Sequence, residues 1–211
     1  VGYRELLDYK GDFMQFIAHR INTCDLLAEV PEKYGVEIDV RDFQSELVLH
    51  HDPFCNGELL EKFLTAYRHK TLILNIKSEG IEWRVRELLQ KHNISDYFFL
   101  DSSFPMIVKL FDRGETKTCI RVSEYESIET ALNMQGKAAW VWVDCFTGLY
   151  LDKYSWQLLK DAGHKVCLVS PALLGRADEI NQFGESLLEQ GIRPDAICCK
   201  LQNARFWQDL F

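Results

Sequence analysis

The sequence predicts a (β/α)8 barrel, and three observations carry that expectation. Eight short apolar runs, rich in β-branched and aromatic residues, recur along the chain. Most of the stretches between them carry helical apolar spacing. Polar and ionisable residues recur at the C-terminal ends of the runs, where such a barrel carries its chemistry. An open doubly wound sheet is the fold alternative. No Gly-x-Gly-x-x-Gly or Gly-x-x-x-x-Gly-Lys-Ser/Thr loop supports a nucleotide-binding version of it.

Residues 1–12 read as an N-terminal extension, either a short helix ending near Gly11 or the tail of a linker. Residues 13–211 read as a single barrel domain. The strand expectations are Gln15–His19, Val36–Val40, Leu72–Lys77, Tyr97–Asp101, Thr118–Val122, Ala139–Asp144, Val166–Ser170 and Ala196–Lys200. A further short run, Leu47–His51, follows the second strand after a brief turn. The first helix must be short, because only residues 21–35 separate the first two strands and Pro31 limits it further. Leu59, Leu60, Phe63 and Leu64 share one helical face, as do Val85, Leu88 and Leu89. Residues 155–162 and 177–190 also read as helices.

Composition narrows the function classes. The 211 residues suffice for one large domain. Hydrophobic residues make up 47% and charged residues 27%, as in ordinary globular proteins. The formal charge of -8 argues against a nucleic-acid surface, which needs a basic field. It leaves room for a local positive pocket. No apolar run is long enough to cross a bilayer, and no amphipathic insertion segment stands out. Seven cysteines without a Cys-x-x-Cys pair read as reduced thiols of a cytoplasmic protein.

The chemistry gathers early in the chain. Glu37 and Asp39 alternate along one strand, so both point to the same side. Two ionised carboxylates there repel, and a divalent cation with hard oxygen ligands relieves the repulsion. The bland reading is a rim pair salt-bridged to Arg20, Arg41 or Lys77. His19 and His51 each end an apolar run and suit general acid and base work. His50 should face away from His51. Arg20 and Lys77 suit a phosphate's charge. Asp101, Arg121, Glu124, Asp144 and Lys200 are secondary candidates or rim ion pairs. Trp140, Trp142 and Trp156 read as core aromatics before pocket walls.

The ordered motifs Ala18-His19-Arg20, Glu37-Ile38-Asp39-Val40 and His51-Asp52-Pro53 resemble the glycerophosphodiester phosphodiesterase family, in its divergent short bacterial form. Asn75-Ile76-Lys77 lies where that family commonly has Glu-x-Lys, and Asp101-Ser102-Ser103-Phe104 looks like its Ser-Phe strand exit. The resemblance implies a (β/α)8 barrel and metal-dependent hydrolysis of a small-molecule glycerophosphodiester or related polar phosphodiester. It implies catalysis by His19 and His51, phosphate contact by Arg20 and Lys77, and Mg²⁺ or Ca²⁺ held by Glu37, Asp39 and Asn75. Three departures stand out. Ile21 replaces a usual Gly, Asn75 replaces a carboxylate, and Lys200 lies where Thr-Asp is frequent. Glu79, Asp101 or Glu124 would be the substitutes for the missing ligand.

Two other functions compete. One is a catalytically silent barrel that binds a phosphorylated ligand or a partner domain. The other is a related phospholipase reaction ending in a cyclic phosphate. The sequence leaves the leaving alcohol and the oligomeric state open.

Overall fold

A computed structural model describes residues 14–211, so the expectation for residues 1–12 lies outside the described residues. The barrel begins at β1 (Gln15–Ala18) and continues through β2 (Gly35–Phe43), β5 (Leu72–Ile76) and β6 (Tyr97–Leu100). It runs on through β7 (Cys119–Val122), β8 (Trp140–Val143), β9 (Lys165–Val169) and β10 (Ala196–Cys199). Neighbours pair in parallel, and β10 returns to β1 in the register Gln15 to Ala196. A single parallel bridge, Phe99 to Thr118, joins β6 to β7 and closes the ring. All eight strand expectations therefore fall on barrel strands.

The additional run is different in kind. β3 (Glu46–Leu49) is antiparallel to β2, and β4 (Glu58–Leu59) pairs with β3. Gln44 and Ser45 turn the hairpin with φ of 47° and 70°. Two left-handed residues in succession match the twist of a two-residue hairpin turn. His51 thus comes from a hairpin arm rather than from a barrel strand.

Helices α1 (Cys24–Glu29), α2 (Leu60–Ala66), α3 (Glu82–Lys91) and α4 (Phe104–Asp112) cover the first half. Helices α5 (Ile128–Asn133), α6 (Lys153–Asp161), α7 (Ile180–Glu189) and α8 (Ala204–Leu210) cover the second. Thr23, Ser103, Ser127 and Asp152 cap α1, α4, α5 and α6 with side-chain oxygens, which satisfies N–H groups that the helix itself leaves unpaired. The short first helix agrees with the Pro31 limit. The 177–190 expectation resolves into a 3-10 turn at Ala177–Glu179 followed by α7.

Two apolar layers follow from strand alternation. Val36, Ile38, Val40, Leu72, Leu74 and Ile76 pack outward against the helices. Ile17, Ile73, Phe98, Trp140, Trp142 and Cys198 fill the barrel interior. Phe98 and Trp140 stack there with ring centroids 4.5 Å apart. The tryptophans are core residues, as expected. At the start of β2 only glycine fits, because a Cβ on Gly35 would strike Ile17 and the Thr71 carbonyl. The interior is therefore closed and apolar below, and the same inward positions turn polar at the C-terminal strand ends.

Candidate active site at the barrel mouth

Glu37 and Asp39 lie side by side at the mouth, 0% and 1% exposed. Each is held by neighbouring polar groups. Glu37 Oε2 accepts the backbone N–H of Arg20 at 2.7 Å, and its Oε1 accepts Asn75 Nδ2 at 2.9 Å. Asp39 forms a two-way clamp with Asn22. The Asn22 amide donates to Asp39 Oδ2 at 2.8 Å, while Asp39 N–H donates to Asn22 Oδ1 at 2.8 Å. Asn22 carries no motif signal, and sequence reasoning missed it. Its position just after β1 is fixed by Arg20, which takes φ of 59°, and by Ile21, whose N–H reaches the Glu37 carbonyl. The buried Ile21 side chain helps to fix this turn.

The cations approach without hydrogen bonding. Arg20 Nε lies 3.5 Å from Asp39 Oδ2. Lys77 Nζ lies 3.4 Å from Asp39 and 3.6 Å from Asp101. These ion pairs compensate charge while leaving N–H donors for another anion. The compensating and phosphate-binding readings of Arg20 and Lys77 are thus compatible.

His19 Nε2 lies 3.8 Å from Glu37 Oε2. Burial, aided by Arg20, Lys77 and His51, lowers the His19 pKa to about 4. The ring is accordingly neutral at neutral pH and can accept a proton. His51 is exposed, and its Nδ1 is 2.8 Å from Asp52 Oδ1. That contact orients the ring and leaves Nε2 free. Arg41, another inward residue of β2, donates Nε to the His50 carbonyl and Nη2 to the His51 carbonyl, each at 3.0 Å. It steadies the His51 arm instead of pairing with Glu37 or Asp39. The His50 ring takes the Asp52 N–H and faces its own loop, in keeping with a structural role.

The secondary candidates separate. Arg121 holds Asp101 by two bonds, Nε to Oδ1 at 2.6 Å and Nη2 to Oδ2 at 2.9 Å. Its Nη1 pairs with Asp144, which also accepts Trp142 Nε1 at 3.1 Å. Glu124 is spent elsewhere. It accepts the backbone N–H groups of Phe146 and Thr147, so it is a loop clamp and not a substitute ligand. Glu79 likewise accepts Ser103 Oγ. Lys200 is exposed just after β10.

The residues can be tested against the divalent cation that the motif pattern implies. Among the described residues, no three His, Cys, Asp or Glu side chains converge in a metal-binding group. The donor set is two carboxylates and one amide. Asn75 Oδ1 is buried without a hydrogen-bond partner. Burial and the Asp39 charge raise the Glu37 carboxyl above the ordinary carboxylate range. Glu37, Asp39, Asp101 and Asp144 face three permanent cations, Arg20, Lys77 and Arg121. With all four carboxylates ionised the cluster is one charge negative, and an orphaned hard oxygen lies beside it, a donor set that fits a divalent cation.

No protein-family model matches the sequence, and no curated protein does. Solved structures do match. The chain is similar to glycerophosphodiester phosphodiesterase from Agrobacterium tumefaciens str. C58, with a TM-score of 0.63 at 13% identity over 90% of this chain and 98% of that one. It is also similar to a mutant tryptophan synthase alpha-subunit from the hyperthermophile Pyrococcus furiosus, with a TM-score of 0.53 at 14% identity over 94% and 90%. At these identities the likeness shows the shared barrel fold.

Proposed function

We propose that the barrel mouth hydrolyses a phosphodiester, a glycerophosphodiester or a related small polar one, in a metal-dependent reaction. One observation carries this reading most directly. A neutral imidazole, His19, borders a buried carboxylate pair flanked by two cations that keep free donors. Fold likeness to a glycerophosphodiester phosphodiesterase supports the same reaction class. The barrel mouth is also where this architecture carries chemistry.

Glu37, Asp39 and Asn75 Oδ1 would hold Mg²⁺ or Ca²⁺. When bound, such an ion supplies charge neutralisation and polarisation of a phosphoryl oxygen. Arg20 and Lys77 bind and orient the phosphate oxygens through their N–H donors. His19 takes the proton of the attacking water, and His51 gives a proton to the departing alkoxide through Nε2. Asn22 keeps Asp39 in one rotamer, and Arg41 keeps the His51 arm over the mouth. The seven free thiols suit a reducing, cytoplasmic setting.

A second reading has its own observation. Glu37 and Asp39 are already satisfied by Arg20, Asn75 and Asn22, which suits a barrel that binds a phosphorylated ligand without turning it over. The test uses bis-p-nitrophenyl phosphate and a glycerophosphodiester with purified protein. Hydrolysis should vanish in chelator and return with Mg²⁺ or Ca²⁺. His19→Ala and His51→Ala should each lower turnover by roughly 10²–10⁴ while circular dichroism is unchanged. Full activity after rigorous metal removal, or in both variants, would refute the assignment. Phosphate binding without turnover would favour the silent barrel.

A further inference from the structure

The barrel wall has a weak seam. β7 and β8 pair over four residues, as do β5 and β6, but β6 and β7 share only the Phe99 to Thr118 bridge. Beyond that bridge the two strands part. Asp101 takes φ of 61° and turns away, and the opening is spanned by the two-bond pair between Arg121 and Asp101. Helices α4 and α5 flank the gap. Between them lies a cavity of about 600 Å³ whose lining reaches Asp101 and Arg121 at the strand ends. That volume is typical of sites for small organic ligands, about 300–1,000 Å³.

Its walls have a mixed chemistry. Ile107 and Ile120 form an apolar floor. Phe104 and Tyr125 stand at the rim, 48% and 76% exposed, and Tyr125 is steadied by Phe146 at a ring-centroid distance of 5.9 Å. Ser127 and Thr130 offer hydroxyls. Ser102, also in the lining, has a buried Oγ without any hydrogen-bond partner. The cavity shares Asp101 and Arg121 with the mouth, and Asp101 is 3.6 Å from Lys77.

We infer that this wedge between β6 and β7 is the subsite for the alcohol half of the substrate, and that this alcohol is a polyhydroxylated ring of the sugar type. The inference rests on the phosphodiesterase reading of the mouth. A sugar ring has apolar C–H faces that suit Phe104 and Tyr125, and hydroxyls that suit Ser127 and Thr130. A long acyl chain would leave those hydroxyls unpaired. A phosphate resting on Lys77 sets the attached ring beside Asp101, at the cavity entrance.

The test compares the affinities of glucose 1-phosphate and inorganic phosphate by calorimetry on the Mg²⁺-supplemented full chain. The sugar phosphate should bind about 10-fold more tightly, a ratio worth one stacked ring face with a hydrogen bond or two. Thr130→Trp, which fills the wedge from an exposed helix position, should reduce that ratio to within about 2-fold. Tyr125→Ala should also reduce it, by removing the ring face at an exposed site. Phosphate binding with a ratio near one in the unaltered protein would overturn this inference alone. So would a ratio that survives both substitutions. If phosphate itself fails to bind, the reading of the mouth falls and this inference falls with it.

Discussion

Replacing Arg121 with Met tests how the mouth is held together. Among the described residues, Arg121 is the side chain that ties Asp101, just after β6, to Asp144, just after β8, across the weak seam. Met keeps much of the aliphatic stem, so the change removes mainly charge and hydrogen bonds. Breaking a buried ion pair by deleting one partner costs about 3–5 kcal/mol, because a charge is left buried without compensation. Two contacts soften the loss here. Asp144 keeps the Trp142 N–H, and Asp101 keeps Lys77 at 3.6 Å. Asp101 is also one-quarter exposed, so water takes part of its charge. The lower end, about 3 kcal/mol, is therefore expected. In a domain of this size that lowers Tm by roughly 6–12 °C.

The pH dependence gives the sharper test. Burial already raises the Asp144 carboxyl, against the opposing pull of Arg121. Removing Arg121 raises it further. A carboxyl raised in the folded state favours its protonated form there. Stability is then fullest below the unfolded value of about 3.9 and is lost as pH rises through the folded value. The difference between variant and unaltered protein should therefore be larger at neutral pH and narrow as pH falls towards the ordinary Asp value of about 3.9. Urea unfolding followed by tryptophan fluorescence measures it, since Trp140 and Trp142 lie in the barrel interior. An equal loss at both pH values, or a loss below about 1 kcal/mol, would refute the role given to Arg121.

Two further expectations follow from single residues. Asn75→Glu should tighten divalent-cation binding in calorimetry on metal-free protein, because it adds a charge beside Glu37 and Asp39; unchanged affinity in a folded variant would remove Asn75 from the proposed ligand set. Against the cost of burial, the N–H groups of Thr147 and Phe146 hold the Glu124 carboxyl down to about 2. Its clamp on the 146–147 segment should thus be complete above the ordinary Glu value of about 4.3 and be lost as pH falls through the depressed one. Hydrogen exchange at Phe146 and Thr147 measures this, and Glu124→Gln should reproduce the acid behaviour at neutral pH.

The sequence alone determined the order of eight strands and their helices, because buried parallel strands read as apolar runs and their partners as periodic ones. It also determined that Glu37 and Asp39 share a side, and that Asn75 and Lys77 do. Alternation along a strand is a local property, independent of what the strand packs against. Tertiary structure alone decided the rest. That Asn22 clamps Asp39, that Arg41 serves the His51 arm, and that Glu124 is spent on a loop are all relations between distant segments. A carboxylate in a sequence does not reveal which N–H groups will reach it. The hairpin origin of His51 depended on the left-handed pair Gln44 and Ser45, which carry neither Gly nor Asn to announce the turn. The seam between β6 and β7 depended on closing the ring, since strand pairing across it is a matter of long-range register and leaves no mark in either strand's own residues.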